Sequence, residues 1–132
     1  MISLKELLGD NIITDLSIAE QHNLEDLRER VNKVRLAYGK PLMVTSGFRT
    51  LQQHLRIYSQ KGITDQTKIP MRSNHLVGKA VDFSDPKREF YHWLLAHQDL
   101  FADCGLYMEE GTVGWVHLQA IPPKSGRRVF LP

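Results

Sequence analysis

Three residues of the chain combine side-chain types and spacing that suit a metal centre. His75 and Asp82 lie seven positions apart in the segment 73–82, and His117 follows in a later apolar stretch, 115–119. Two imidazoles and one carboxylate can serve as the three protein ligands of a catalytic zinc site, in which a fourth position stays open for water. This set therefore predicts a metal-dependent hydrolase with one Zn²⁺ per chain.

The residues around Asp82 are typical of a strand that could carry this carboxylate. Because alternate residues of a strand face the same side, Asp82 should project from the sheet while Val81 and Phe83 pack beneath it. Gly78 permits a close backbone turn between His75 and this strand. A single histidine in such a place is more often a core residue hydrogen-bonded to a carbonyl, so the prediction depends on the three residues together.

The remaining pattern predicts helices first and paired strands later. A short amphipathic helix should end at Gly9, and a longer helix should run from an N-cap at Asn23 to a stop at Gly39. The other predicted elements are a buried strand at 42–45, a turn at 46–49, a helix with Leu51, Leu55 and Tyr58 on one face, a surface loop at 60–70, a strand at 80–83, a helix at 89–99 and a hairpin of strands 105–109 and 115–119. This order predicts a compact α+β domain with a small antiparallel sheet packed against helices.

Length and composition fit one globular domain that spans residues 1–132. Hydrophobic residues make up 42% of the chain and charged residues 24%, which is ordinary for such proteins. The net charge of +2 is too small and too evenly spread to argue for a nucleic-acid partner, and no window is apolar enough to span a membrane. Cys104 is the single cysteine, so an internal disulfide is excluded, and we expect its thiol to be buried. Separately, we expect the protein to be a monomer.

The same residues carry a resemblance to a known family. The pattern Ser-x-His-x-x-Gly-x-Ala-x-Asp from Ser73 to Asp82, followed by Trp-x-His at 115–117, resembles the zinc D-alanyl-D-alanine carboxypeptidases and peptidoglycan endopeptidases. This group includes phage endolysins, vancomycin-resistance dipeptidases and the related Hedgehog signalling domain. The resemblance covers roughly residues 40–130. It implies that the two histidines and Asp82 bind zinc, and that the substrate is a peptidoglycan stem peptide or another D-Ala-containing peptide.

Arg49 is a second candidate group for this chemistry. It ends a Ser-Gly-aromatic-Arg run at 46–49, which is similar to a strand-end motif of the family whose arginine faces the substrate. A guanidinium beside a metal could stabilise the oxyanion that forms during peptide hydrolysis, or clamp a terminal carboxylate. The alternative for Arg49 is a surface ion pair. Ser73 could hydrogen-bond the substrate, or it could cap the loop in which it lies.

The general base is the one group that the family pattern does not supply. Many active members place Glu or Asp three residues before the last histidine, where this chain has Gly114, and other branches also lack an acid there. Glu110 is the first substitute, because a four-residue tip would pair it opposite Trp115, within reach of the His117 face. A register shift of one residue would give that place to Glu109. The alternative is that both carboxylates are solvated at the hairpin tip.

These observations favour a zinc peptidase that cleaves a peptide bond next to a D-amino acid in peptidoglycan or its precursors. A non-catalytic, zinc-stabilised virion or wall-binding module is the alternative, which Gly114 favours, and a metal-free α+β binding domain is a third. The charged run Met1–Leu8 is not typical of a signal peptide. We therefore expect a protein made in the cytoplasm that acts on the wall after release, as in phage lysis, or is associated with a virion. A cytoplasmic dipeptidase is the next possibility.

Overall fold

The fold is described by a computed structural model that covers every residue, Met1–Pro132. Its helices are α1 Leu4–Leu8, α2 Ile18–Tyr38, α3 Leu51–Gln60, α4 Glu89–Ala96 and α5 Gln98–Asp103. Its strands are β1 Met43–Ser46, β2 Ala80–Asp85, β3 Tyr107–Glu109, β4 Gly114–Gln119 and β5 Val129–Phe130. Short 3₁₀ turns lie at Ile13–Asp15, Gln66–Lys68 and Asn74–Val77. None of the helices combines the length and apolar character that a membrane crossing requires.

Helix α2 begins earlier than the sequence predicted. Ser17 and Glu20 form a capping box, in which each side chain accepts a hydrogen bond from the backbone N–H of the other residue. Asn23, the predicted cap, lies inside the helix, and its amide donates to the carbonyl of Val77. The predicted end is confirmed, because Gly39 adopts the left-handed conformation, with φ 76°, that closes the helix.

The five strands form one sheet in the order β1-β2-β4-β3-β5. All neighbours pair antiparallel except β3 and β5, which are parallel. The predicted α+β class is confirmed, but the sheet is mixed rather than antiparallel. Strand β5 was not predicted because its two residues are too few to show an alternating pattern.

One face of the sheet carries the apolar core. Val81 and Phe83 lie there, as the strand alternation predicted, and both are fully buried. They join Val116 and Leu118 of β4 and apolar residues of α2 and α4 in one cluster. Because side chains alternate along a strand, the residues between them on β2 and β4 are left to face the other side. The core thus supports the strands that carry Asp82 and His117.

Three predicted elements differ in extent or environment. The helix expected at 89–99 divides into α4 and α5 at His97, a break that no Gly or Pro marks. Strand β2 continues to Asp85, whose buried carboxylate accepts hydrogen bonds from the first N–H groups of α4. Strand β1 lies at the sheet edge with Met43 exposed, so the expectation of a buried strand was wrong. Cys104 is partly buried against the core.

Candidate metal centre

The structure brings the three predicted metal ligands together. His75 lies in the 3₁₀ turn before β2, while Asp82 on β2 is paired directly with His117 on β4. One nitrogen or oxygen atom from each side chain can be chosen so that all lie within 4.8 Å of one another. Asp82 is the centre of the group, at 3.3 Å from His75 Nε2 and 2.8 Å from His117 Nδ1. All three side chains are almost completely buried.

Hydrogen bonds on the far side of each ring leave one imidazole nitrogen facing the cluster. His75 Nδ1 lies 2.8 Å from the carbonyl oxygen of Gly47, and His117 Nε2 lies 2.8 Å from Gln119 Oε1. Each oxygen requires an N–H, which leaves Nε2 of His75 and Nδ1 of His117 for a metal. The amide of Gln119 donates to Ile121, which orients its oxygen. Two imidazole nitrogens and a carboxylate in this arrangement fit Zn²⁺.

The charge states of the cluster also suit a divalent cation. Burial is the largest influence on Asp82 and would raise its pKa, but the contacts with His117 and His75 outweigh burial and hold the pKa far below its usual range. Burial is the largest influence on His75 and lowers its pKa. Burial would also lower the pKa of His117, but its contacts with Asp82 raise it. Metal ligands must be deprotonated, so a bound cation would displace any proton from His117.

The turn after β1 places a backbone carbonyl behind His75. A Cβ atom on Gly47 would lie 2.2 Å from the carbonyl oxygen of Leu7, so only glycine fits this close approach. The N–H of Phe48 donates to that same oxygen at 2.9 Å. The N–H of Arg49 then donates to the carbonyl of His75 at 3.1 Å. Helix α1 therefore supports the turn, and the turn positions His75. The sequence did not predict the contact between α1 and this turn.

Arg49 lies beside the cluster rather than on the surface. Its side chain is 14% exposed, and Nη2 is 3.4 Å from Asp82 Oδ2. The guanidinium also donates from Nε to Ser46 Oγ at 2.8 Å and lies 3.3 Å, from Nη1, from His54 Nδ1. Burial lowers the pKa of Arg49, but an arginine remains protonated in proteins. A positive charge is thus fixed next to the candidate metal site, and a surface ion pair does not describe this position.

His54 is a residue of the site that sequence reasoning missed. The predicted apolar face of α3 was wrong, because Leu51 is 49% exposed and His54 is the buried residue of the helix. Its Nε2 lies 3.0 Å from the carbonyl oxygen of Pro70. Burial lowers the pKa of His54, and the positive charge of Arg49 lowers it further. No pattern in the sequence marked it, since a histidine in an amphipathic helix is ordinarily a surface residue.

The hairpin register separates the two candidate bases. Strands β3 and β4 pair Met108 with Leu118, which places Glu109 opposite His117 at the next position. The predicted register, in which Glu110 pairs opposite Trp115 and lies on the same face as His117, was wrong by one residue. The pairing of Met108 with Leu118 would place Glu110 beside Val116 rather than Trp115, and therefore on the opposite face of the sheet from His117.

The environments of the two carboxylates differ accordingly. Glu109 lines the cleft above the cluster, whereas Glu110 does not. Burial raises the pKa of Glu109 above its usual value. Helix α4 holds the tip in place, since the hydroxyl of Tyr91 accepts a hydrogen bond from Gly111 N–H at 3.0 Å. Glu109 is thus the acid that the structure places near the three ligands.

The cluster opens into a cleft of about 460 Å³. Helix α3 contributes Ile57 and Tyr58 to its lining, its C-cap residue contributes Lys61, and the strands contribute Trp115 and Phe130. Ser73 also lines this cleft, but its hydroxyl accepts a hydrogen bond from His75 N–H at 3.3 Å, so the capping alternative describes its contact.

Comparison with known proteins adds a family to this geometry. The family model for Peptidase M15 matches residues 2–119 of the chain. No curated protein matches the sequence. Among solved structures, the chain is similar to the L-Ala D-Glu endopeptidase ChiX of Serratia marcescens, with 22% identity and a TM-score of 0.49. The similarity covers 79% of this chain and 87% of that chain.

Proposed function

The chain belongs to the peptidase M15 family of zinc metallopeptidases acting on cell-wall peptides, and we propose that it hydrolyses a peptide bond next to a D-amino acid in peptidoglycan. The predicted family and enzyme class are confirmed by this membership. The observation that carries the proposal is the buried cluster of His75, Asp82 and His117 beneath an open cleft. The non-catalytic alternative relied on Gly114, and Glu109 supplies a carboxylate in the cleft instead.

In this proposal, His75 Nε2, the carboxylate of Asp82 and His117 Nδ1 hold one Zn²⁺. When bound, zinc supplies Lewis acidity, which polarises a carbonyl group and makes water nucleophilic near neutral pH. The carbonyl of Gly47 and the amide of Gln119 keep each imidazole in the tautomer that presents a lone pair to the cluster. The ionised state of Asp82 adds a negative charge that favours a divalent cation.

Glu109 acts as the general base. Its carboxylate accepts a proton from the water molecule whose oxygen attacks the carbonyl carbon, and it returns that proton to the nitrogen of the leaving amine. The C–N bond then breaks, and the second proton of the water also passes to the nitrogen, so that the products are a carboxylate and a protonated amine. Because burial raises the pKa of Glu109, this carboxylate is a better proton acceptor than a solvated glutamate.

Arg49 stabilises the negative charge that develops on the carbonyl oxygen. Its guanidinium is held on one side by Ser46, and its Nη2 faces the same carboxylate that joins the two histidines. A cation that is fixed before the reaction begins costs no reorganisation when the charge appears. The same side chain could clamp a substrate carboxylate through two parallel hydrogen bonds.

The substrate we propose is a peptidoglycan stem peptide or another D-Ala-containing peptide. Tyr58 and Trp115 contribute aromatic surfaces to the lining of the cleft, against which a peptide could pack. The resemblance of the segment 73–82 to phage endolysins supports a role in phage lysis or in a virion.

Metal analysis combined with digestion of purified cell walls tests this function. The wild-type protein should hold one zinc per chain and release new amino groups from peptidoglycan, whereas His117→Ala should lose both zinc and activity. His92→Ala is the matched control, because it removes an exposed histidine of α4 far from the cluster. Full zinc occupancy in His117→Ala would overturn the metal site. Bound zinc without peptide release from walls of any chemotype would favour the non-catalytic module.

A further inference from the structure

The buried residue of α3 is a histidine, where an apolar side chain would serve packing better. His54 has no exposed surface, and the Tyr58 ring of the next helical turn packs against it at 5.0 Å between centroids. Burying a polar ring costs free energy unless its nitrogen atoms are hydrogen-bonded. A polar residue kept in such a position therefore calls for a role beyond filling space.

Both nitrogen atoms of His54 have partners, and these partners fix its tautomer. Nε2 lies 3.0 Å from the carbonyl oxygen of Pro70, which can only accept a hydrogen bond, so the ring proton is on Nε2. Nδ1 then carries a lone pair, which accepts the N–H of Arg49 Nη1 at 3.3 Å. The imidazole thus connects the guanidinium with the segment at Pro70, which lines the same cleft.

We propose that His54 is a positioning residue that holds the Arg49 guanidinium in its catalytic orientation. Each nitrogen of the guanidinium has a separate partner: Nε donates to Ser46, Nη1 to His54, and Nη2 faces Asp82. Without His54, only the Nε contact and the long Nη2 contact would restrain the group. The inference rests on the proposed hydrolytic function, in which Arg49 stabilises the oxyanion.

An uncharged acceptor is the appropriate choice for this position. A carboxylate in place of His54 would restrain Arg49 equally well, but it would also neutralise the guanidinium and weaken its attraction for a developing oxyanion. An imidazole with its proton on Nε2 accepts the hydrogen bond and leaves the positive charge intact. His54 therefore orients Arg49 without reducing the charge that makes it useful.

A double-mutant cycle between His54 and Arg49 tests the inference on the zinc-loaded protein. We expect His54→Leu to keep its zinc and to lower kcat on wall peptides by about 10- to 100-fold, the scale of a misplaced catalytic group. His54→Asn, whose amide oxygen can still accept from Arg49, should lose less. In an Arg49→Ala background, His54→Leu should cause no further loss, because the group it positions is gone. Gln52→Leu is the matched control, since it makes a similar change on the exposed face of α3.

A structural role would give different results. If His54→Leu lowers kcat by the same factor with and without Arg49, or if folded His54→Leu keeps the wild-type kcat, the inference is overturned. Nitrogen-15 NMR of the imidazole supplies a readout that does not need activity: the Nδ1 signal of His54 should shift in Arg49→Ala. An unchanged signal would refute the contact even if His54→Leu fails to fold. A wild-type protein without activity would refute the proposed function but not this contact.

Discussion

We expect Glu109→Gln to stop peptide release while the fold and the metal site remain intact. Glutamine keeps the size and polar character of glutamate, but its amide cannot accept the proton of an attacking water. The β3–β4 register places Glu109 opposite His117, and its side chain lines the cleft. No other glutamate or aspartate lines that cleft except Asp82, which is engaged by both histidines.

The size of the effect follows from this position. A general base contributes roughly 10²–10⁴-fold to a rate, so kcat should fall by a factor in that range while KM stays close to the wild-type value. The thermal stability should not fall. Because burial raises the pKa of Glu109, its ionised form is less favourable in the folded chain than in the unfolded one, and neutral glutamine removes this cost at pH 7.

The assay is the release of amino groups from purified peptidoglycan, with zinc content and melting temperature measured on the same samples. Glu110→Gln is the matched control, because it makes the same chemical change one residue away, outside the cleft. It should keep the wild-type rate. Wild-type kcat in zinc-loaded Glu109→Gln would refute the assignment of the base. An equal loss in both variants would show that the charge of the hairpin matters, not the position of one carboxylate.

Three further predictions concern the same site. Arg49→Ala should lower kcat by about a hundredfold or more without loss of zinc. Arg49→Lys should restore little of this activity if the contact of Arg49 with the substrate is bidentate. Unchanged rates on muropeptides in both variants would place Arg49 outside the reaction. Chelation of zinc should lower the melting temperature in calorimetry, and added zinc should restore it. A ligand that binds only the native state stabilises that state by about 4 kcal/mol when its concentration is a thousand times its Kd. Identical melting curves would contradict a native zinc site. Burial lowers the pKa of His54, and the nearby groups Arg49, His75 and Lys61 lower it further. Below pH about 6.5, His54 is therefore protonated in the unfolded chain but resists protonation in the folded chain. The free energy of unfolding in urea should therefore decrease as pH falls from about 7 to 5, and less steeply in His54→Leu; equal slopes would contradict a buried neutral imidazole.

The three candidate metal ligands could be predicted from the sequence because their residue types are those that bind zinc. Two histidines and an aspartate are rare together at strand and turn positions, and alternation along β2 already separated Asp82 from the core residues Val81 and Phe83. The structure adds the pairing of Asp82 with His117, which sequence spacing alone does not contain. That pairing arises from strand order, which brings together residues far apart in the chain.

The proposed base was predicted only as the second candidate, and the proposed positioning residue was not predicted, for two different reasons. A register shift of one residue decides whether Glu109 or Glu110 lies on the face of His117. The register is set by the length of the glycine-containing tip and not by strand propensity. His54 was not predicted because its proposed role depends on Arg49, which contacts it only in the folded chain. Local patterns identify ligand types, but contacts between distant segments determine which neighbours assist them.

The contact between helix α1 and the turn at Gly47 has a consequence for truncation of this protein. The carbonyl of Leu7 accepts a hydrogen bond from the N–H of Phe48, and the carbonyl of Gly47 accepts one from Nδ1 of His75. A fragment cut to residues 40–130 would keep all three ligands and still lose the support behind the first of them. During synthesis, the carbonyl of Leu7 lacks this partner until the turn has been made, and the cluster is incomplete until His117 follows. We therefore expect a growing or trimmed chain to bind zinc more weakly than the full chain, because helix α1 supports the turn behind His75.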